Sequence, residues 1–338
     1  LRRLVPEIDG LEPIFTPIAF ETRFDRIPGW SNWTIRAGVR SGMAMLREAP
    51  PDVMFVHTQV PAVLLGPWMR RIPTVVSIDA TPLQYDELGD HYSHGRAPDS
   101  IERIKHRLNR NCFERAAHLI TWSAWAKQGL VDGYGVDPDR VSVIAPGVDT
   151  SRWRREQPRG RGDGVKILFV GGDLHRKGGD VLLAAFRRLR DDPELPDVEL
   201  HLVTPADVAD EPGVVIHRGL TPNSPELIAR YHEADVFCLP TLGDCLPMVL
   251  AEAAASGLPL VSTDVGAIHE IVRPGETGDL IRPGDLNGLT SSLRRLVEDG
   301  GVRAAYGSAA AQLASREHDA RVNAEAIAET LRRVAADR

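Results

Sequence analysis

The sequence predicts an α/β protein built from two doubly wound, Rossmann-like parallel-sheet domains that face each other across a cleft. Three features carry this expectation. Short runs rich in valine and isoleucine alternate with longer stretches of helical period. The runs are apolar throughout rather than at every second position, which suits strands buried on both faces. A polar stretch, DTSRWRREQPRGRGDG over 149–164, divides the chain near its middle. Its glycines, proline and arginines have no apolar period and read as a linker.

Taken in order, the strand candidates of the first half are PIFTPIAF (13–20), DVMFVHT (52–58), TVVSIDA (74–80), HLITWS (118–123) and VSVIAPGV (141–148). Those of the second half are VKILFVGG (165–172), VELHLVT (198–204), VVIHRGL (214–220), DVFCLPT (235–241), PLVSTDVG (259–266) and GDLIRPG (278–284). Between them lie helical patterns such as GDVLLAAFRRLRDD, SPELIARYHEA and LNGLTSSLRRLVEDG. Strand and helix in alternation imply βαβ units. The domains expected are 1–150 and 151–315, followed by a charged amphipathic helix over 316–338 that packs toward the first domain.

The chain has 338 residues, enough for two cores of ordinary size. A formal net charge of -7 argues against a general nucleic-acid binder. The three cysteines, Cys112, Cys238 and Cys245, follow neither a disulfide framework nor a zinc spacing, so a cytoplasmic location is expected. The chain opens on LRRLVPEIDG, which enters a helical-looking stretch with no strand before it.

Two segments carry chemistry. In GDCLPMVLAE (243–252), Asp244 and Glu252 stand eight residues apart. Pro247 suits the first position of a helix, and Gly257 suits its close. Eight helical residues span about 12 Å, the scale of a nucleoside diphosphate sugar. The start of the helix between the acids offers N–H groups to phosphate oxygens. The plain alternative is a capping aspartate and a solvated glutamate. In KILFVGGDLHRKGGDVLLAAF (166–186), a strand and a glycine turn lead to Arg176 and Lys177 just ahead of a helix. The order is not that of a Walker loop. Cations at a helix start oppose its dipole, which favours an anionic ligand there.

These segments, with YHEADVFCLPT before and LPLVSTDVGAIHEIVRPGETGDLIRPGD after the carboxylate pair, resemble the donor domain of glycosyltransferase family 4. Members of that family are retaining enzymes of the GT-B fold. The resemblance runs from about residue 51 to the end and is strongest from 165 to 290. The family pattern is a glutamate, seven residues and a second glutamate; here Asp244 takes the first position and Glu252 the second, while Gly266 and Glu270 match the later part. The resemblance implies that Glu252 binds ribose hydroxyls, and that Asp244 and the backbone near Leu246 meet the donor sugar. Lys177, with Gly178, matches the family's diphosphate-binding pair. The family's arginine position falls on Gly172, and Arg176 is offered as the replacement cation. APGVD (145–149) resembles the family's PNGVD. On the acceptor side, TVVSIDATP resembles a loop that carries a His-Asp pair; Asp79 matches the aspartate, and Ile78 stands at the histidine. His57, at another strand end, is expected to face the cleft.

The resemblance also implies that the family's first strand and glycine-rich loop lie upstream of Leu1. The function expected is a metal-independent, cofactor-free, retaining transfer of a sugar from a nucleotide-sugar donor to a hydroxyl of a saccharide, lipid or small molecule. No metal site is expected. The DPD at 137–139 reads as turn chemistry. A nucleotide-sugar-binding module without transfer, and a GT-B nucleotide-sugar epimerase, stand as alternatives. The basic amphipathic stretch IERIKHRLNRNCFERAAHLI (101–120) adds peripheral contact with an anionic membrane face as a further expectation.

Overall fold

The computed structural model describes residues 3–16, 39, 50–89, 98–155 and 164–337. The chain divides into two compact units. The first holds the described residues up to Glu87, those from 98 to Ala145, and Arg321 onward; the second holds Pro146–Ala320 with Leu88 and Gly89.

In the first unit, β1 (Met54–His57), β2 (Thr74–Ile78), β3 (His118–Thr121) and β4 (Val141–Val143) form a parallel sheet in the order β1-β2-β3-β4. The helices are α1 (Gln59–Leu64), α2 (Pro82–Glu87), α3 (Asp99–Arg115), α4 (Ala124–Tyr134) and, from the far end of the chain, α11 (Ala320–Ala336). One core joins Val56, Ile78 and Leu119 to Phe113 of α3 and Leu130 of α4. A second joins Val75 and Ile120 to Ile327, Leu331 and Val334 of α11. Cover on both faces explains why β2 (TVVSI) and β3 (HLIT) show no polar alternation: every residue of both strands is buried, Thr74, Ser77, His118 and Thr121 included.

The second unit holds β5 (Gly164–Val170), β6 (Asp197–Val203), β7 (Val214–His217), β8 (Val236–Leu239), β9 (Leu260–Thr263) and β10 (Gly278–Ile281). All are parallel, in the order β10-β9-β8-β5-β6-β7. Its helices are α5 (Thr150–Trp153), α6 (Gly179–Arg190), α7 (Pro225–Glu233), α8 (Met248–Ala255), α9 (Leu286–Glu298) and α10 (Gly300–Glu317). The amphipathic periods lie as the sequence indicates. Leu182, Leu183, Phe186 and Leu189 are the buried stripe of α6, and Leu289, Leu293 and Leu296 that of α9. Burying each such side chain is worth about 1.5–3 kcal/mol. The strand order reverses beside β5: the chain runs outward through β6 and β7, then returns as β8 on the other flank. Such a switch point opens a crevice at the carboxyl ends of the two strands.

Four sequence expectations need correction. Residues 13–16 of PIFTPIAF form no strand, and 17–20 lie outside the described residues; Pro13 and Pro17 each lack a ladder donor. The stretch read as a linker is anchored over its described part. Trp153 of α5 is fully buried, edge-on to Tyr231 with ring centroids 4.9 Å apart, while Arg155 donates to the Ala234 carbonyl at 2.9 Å. Residues 156–163 lie outside the described residues. The terminal helix starts at Ala320, because the chain is interrupted at His318–Asp319. There Val148 donates to the His318 carbonyl at 2.8 Å, and Ala320 donates to that of Val148 at 2.9 Å. Gly147 permits this crossing, since a Cβ on it would lie 2.3 Å from Ala320 Cα. Lastly, Pro247 is the residue before α8 rather than its first helical residue; its ψ of 120° is extended. Asp137 caps the short 3-10 turn Pro138–Arg140 by accepting from the Asp139 amide, so the DPD is a turn.

Candidate functional site

Three loops meet at the carboxyl ends of β5, β8 and β9. The loop after β5 runs from Gly171 to Gly178 and leads into α6. The loop after β8 runs from Pro240 to Pro247 and leads into α8. The loop after β9 carries Gly266. Main-chain contacts lock the three together. The Leu242 amide donates to the Arg176 carbonyl at 2.8 Å, and the Ala267 amide donates to the Cys245 carbonyl at 2.8 Å. Two glycines make the approach possible. Gly178 has φ +77°, and a Cβ on it would sit 1.9 Å from the Pro240 carbonyl oxygen. Gly266 has φ +54°, and a Cβ on it would sit 2.3 Å from that of Asp244. Positive φ is a glycine preference, and neither site has room for a side chain.

This scaffold brings Lys177, Arg176 and Asp244 together. The Lys177 ammonium donates to Asp244 Oδ2, and Arg176 Nη1 lies 3.8 Å from the same oxygen. Arg176 also donates to the Gly243 carbonyl at 2.8 Å, which ties its guanidinium to the β8 loop. Thr241 Oγ1 stands 3.5 Å from Asp244 Oδ2. The side chains of Lys177 and Asp244 are 14% and 10% exposed, and that of Arg176 is 22% exposed. At the open rim, Asp173 lies 3.5 Å from Arg176 Nε and is 55% exposed. A charge pair this far from water must recover its desolvation through close contacts. Here Lys177 and Arg176 share the sheltered Asp244 carboxylate, and Arg176 also meets the exposed Asp173 at the rim.

Glu252 sits in the middle of α8. Its Oε2 accepts from the Tyr231 hydroxyl at 2.9 Å. Burial raises the Glu252 carboxyl above its ordinary range, and the Tyr231 hydrogen bond opposes that rise. Leu246 is buried in the turn ahead of α8. Gly257, at φ +73°, follows the end of α8, where the Leu258 amide reaches back to the Ala253 carbonyl at 3.1 Å. Glu270 ends a 3-10 turn, Ile268–Glu270, just beyond Gly266. Gly172 has open space where a Cβ would be and no positive φ.

In the first unit, His57 and Asp79 both stand at the carboxyl edge of the sheet, His57 as the last residue of β1 and Asp79 just after β2. The His57 ring stacks on Trp122, which follows β3, at 5.4 Å between centroids and 4° between planes. Burial against protein lowers the His57 pKa, and the charge of Asp79 works the other way. Asp79 Oδ2 accepts from the Tyr85 hydroxyl at 2.5 Å, and its Oδ1 accepts from the Ala80 amide at 3.0 Å. Thr58, next to His57, has φ +70° and ψ 154°, a costly backbone for a β-branched residue. Sequence reasoning missed Trp122, Tyr85, Thr241 and Tyr231. Trp122, Thr241 and Tyr231 lay inside quoted segments and Tyr85 just beyond one, but the role of each depends on contacts that spacing does not display. Among the described residues, no group of three histidines, cysteines or acids is arranged to hold a metal.

The chain matches the family model for Glycosyltransferase Family 4 over residues 6–152 and that for Glycosyl transferases group 1 over 164–299. The chain belongs to glycosyltransferase family 4. The Mycobacterium tuberculosis protein named glycogen synthase is 28% identical over 323 residues, covering 88% of this chain and 74% of that one. Among solved structures, the sucrose-phosphate synthase of Thermosynechococcus elongatus superposes with a TM-score of 0.75 at 18% identity, over 92% of this chain and 80% of that one. Anabaena HepE, solved in complex with UDP-glucose, gives 0.68 at 19% identity, over 87% and 81%. These likenesses identify the fold of this family 4 glycosyltransferase as GT-B, with two Rossmann-like sheets. No helix among its described residues is long and apolar enough to cross a membrane.

Proposed function

We propose that this glycosyltransferase takes a sugar from a nucleotide-sugar donor and transfers it to a hydroxyl with retention of configuration at the anomeric carbon. The observation that carries this reading is the sheltered Lys177–Arg176–Asp244 cluster at the β5/β8 switch point, with Glu252 on the helix that follows. A diphosphate at the carboxyl end of β5 would meet both cations. When the bond to the sugar breaks, negative charge builds on the leaving phosphate. Lys177 then exchanges part of its contact with Asp244 for the growing charge. At about 4 Å and an effective dielectric near 20, such a contact is worth up to about 4 kcal/mol before desolvation. The part that grows with the charge lowers the barrier. Glu252 takes the ribose hydroxyls, and Asp244 and the main chain near Leu246, Gly266 and Glu270 border the sugar.

No step needs a metal, because Lys177 and Arg176 neutralise the leaving group. Asp244, the carboxylate nearest the sugar in this reading, is held by Lys177, and the leaving phosphate serves as base for the acceptor on the same face. His57 and Asp79 belong to the acceptor side. The UDP-glucose bound by Anabaena HepE supports a nucleoside diphosphate sugar as donor. The reading includes a cytoplasmic enzyme whose α3 meets an anionic membrane face, since Ile101, Ile104 and Leu108 are exposed beside Arg103 and Arg107. The test is a screen of nucleotide sugars and acceptors with the anomeric configuration of the product read by NMR. An α-linked product from an α-donor supports the proposal, and an inverted product refutes retention.

Two observations favour a second reading, a binding module without transfer. Asp244 is engaged by Lys177 rather than presented alone, and Gly172 supplies no charge. Calorimetric binding of a nucleotide sugar, with neither transfer nor hydrolysis, would establish it.

A further inference from the structure

We propose that Tyr231 is a positioning residue for the nucleotide ribose: its hydroxyl fixes one oxygen of Glu252 and keeps the carboxylate a pure acceptor for the ribose diol. The inference rests on the reading of Glu252 as the ribose ligand and adds a residue that the motif does not contain. Tyr231 lies near the end of α7 and is fully buried. A hydroxyl so placed must find its partner within the protein. That partner is Glu252 Oε2, 2.9 Å away.

The ring has little freedom. It stands edge-on to Trp153 at 4.9 Å and nearly parallel to Phe237 at 5.5 Å. The end of α7 is also held by side chains from the segment after α5: Arg155 donates to the Ala234 carbonyl at 2.9 Å and reaches that of Tyr231 at 3.4 Å. The His232 ring meets the Trp153 carbonyl at 2.9 Å. The hydroxyl therefore reaches α8 from a fixed direction.

The chemistry follows from the donor inventory. An ionised carboxylate only accepts, and it has about four lone-pair sites. Tyr231 occupies one and leaves enough for two ribose hydroxyls. A protonated carboxyl would donate from one oxygen and lose that bidentate grip. Burial of Glu252 favours the protonated form, and the phenol favours the ionised one. Tyr231 thus decides down to what pH the ribose is held.

The experiment uses the full chain, with UDP, ADP and GDP and their 2′-deoxy forms as probes, in calorimetric titrations from pH 5 to 8. The proteins are wild type, Tyr231→Phe and Glu252→Gln. NMR titration of the Glu252 carboxyl in the nucleotide-free protein runs alongside. For the diphosphate that binds best, Tyr231→Phe should weaken affinity by about ten-fold at pH 7.5 and by more at pH 6. It should weaken the 2′-deoxy form less, and raise the donor KM by a larger factor than it lowers kcat. The Glu252 carboxyl should titrate at higher pH in Tyr231→Phe. If Glu252→Gln weakens binding while Tyr231→Phe changes neither affinity nor the carboxyl titration, Tyr231 is packing only and the proposal is overturned. If Glu252→Gln binds as wild type does, or no diphosphate binds, the ribose reading itself falls and takes the proposal with it. The NMR titration then still reports whether the phenol tunes the acid.

Discussion

Replacing Lys177 by methionine removes the cation while keeping most of its apolar stem. The Asp244 carboxylate, 10% exposed, is left with Arg176 3.8 Å away and Thr241 Oγ1 3.5 Å away. Removing one partner of a buried pair costs about 3–5 kcal/mol when nothing compensates. Arg176 compensates in part, so we expect a loss of about 2 kcal/mol. For a unit of this size that lowers its calorimetric midpoint by roughly 4–8 °C. Asp244→Asn removes the orphaned charge, so adding Lys177→Met to it should cost almost nothing. The coupling between the two positions, measured by a double-mutant cycle, should be about 2 kcal/mol. Turnover should fall about 10²–10³-fold, the usual effect of removing one preorganised charge from a transition state. If Lys177→Met melts with wild type and the cycle shows no coupling, the two side chains do not share a buried site. The cluster would then explain neither stability nor catalysis.

Gly266→Ala should destabilise and inactivate together, because the added Cβ would collide with the Asp244 carbonyl; thermal unfolding and a donor-binding titration check both, with a loss above about 2 kcal/mol expected. Gly172→Arg should be neutral in stability, within about 0.5 kcal/mol, since the position is open and unstrained. It should tighten nucleotide diphosphate binding several-fold in a calorimetric titration. Glu252→Gln should raise the unfolding midpoint at pH 7 and have no such effect at pH 4. Burial lifts the Glu252 carboxyl above its unfolded value, so the folded state binds the extra proton. Stability therefore falls as pH rises through that window, and glutamine relieves the penalty only above it.

The sheets were legible because parallel strands covered on both faces favour apolar runs without polar alternation, and β2, TVVSI with all five residues buried, shows none. The helices of the second unit were legible for the complementary reason: α6 and α9 each bury one leucine stripe and expose arginines. The run over 13–20 misled because composition outweighed its two prolines. The polar stretch from 149 misled because a single tryptophan, Trp153, does the anchoring, and one apolar residue makes no period. The break at His318–Asp319 depends on pairing with Val148, which no local pattern reveals. At the site, Lys177 and Gly178 were visible as a basic pair at a glycine turn. Their pairing with Asp244 was not, because 67 residues separate the two loops and only the β5/β8 adjacency joins them. Tyr231 lay in the stretch ahead of the carboxylate motif, but a buried phenol seldom announces its acceptor.

The most direct measurement is a crystal structure of the full chain with the nucleoside diphosphate that binds best. The account predicts the diphosphate against Lys177 and Gly178 at the carboxyl end of β5, with the Lys177 ammonium turned from Asp244 toward it and the ribose hydroxyls on Glu252. Nucleotide bound elsewhere, or bound with its ribose away from Glu252 and the Lys177–Asp244 pair undisturbed, would contradict it.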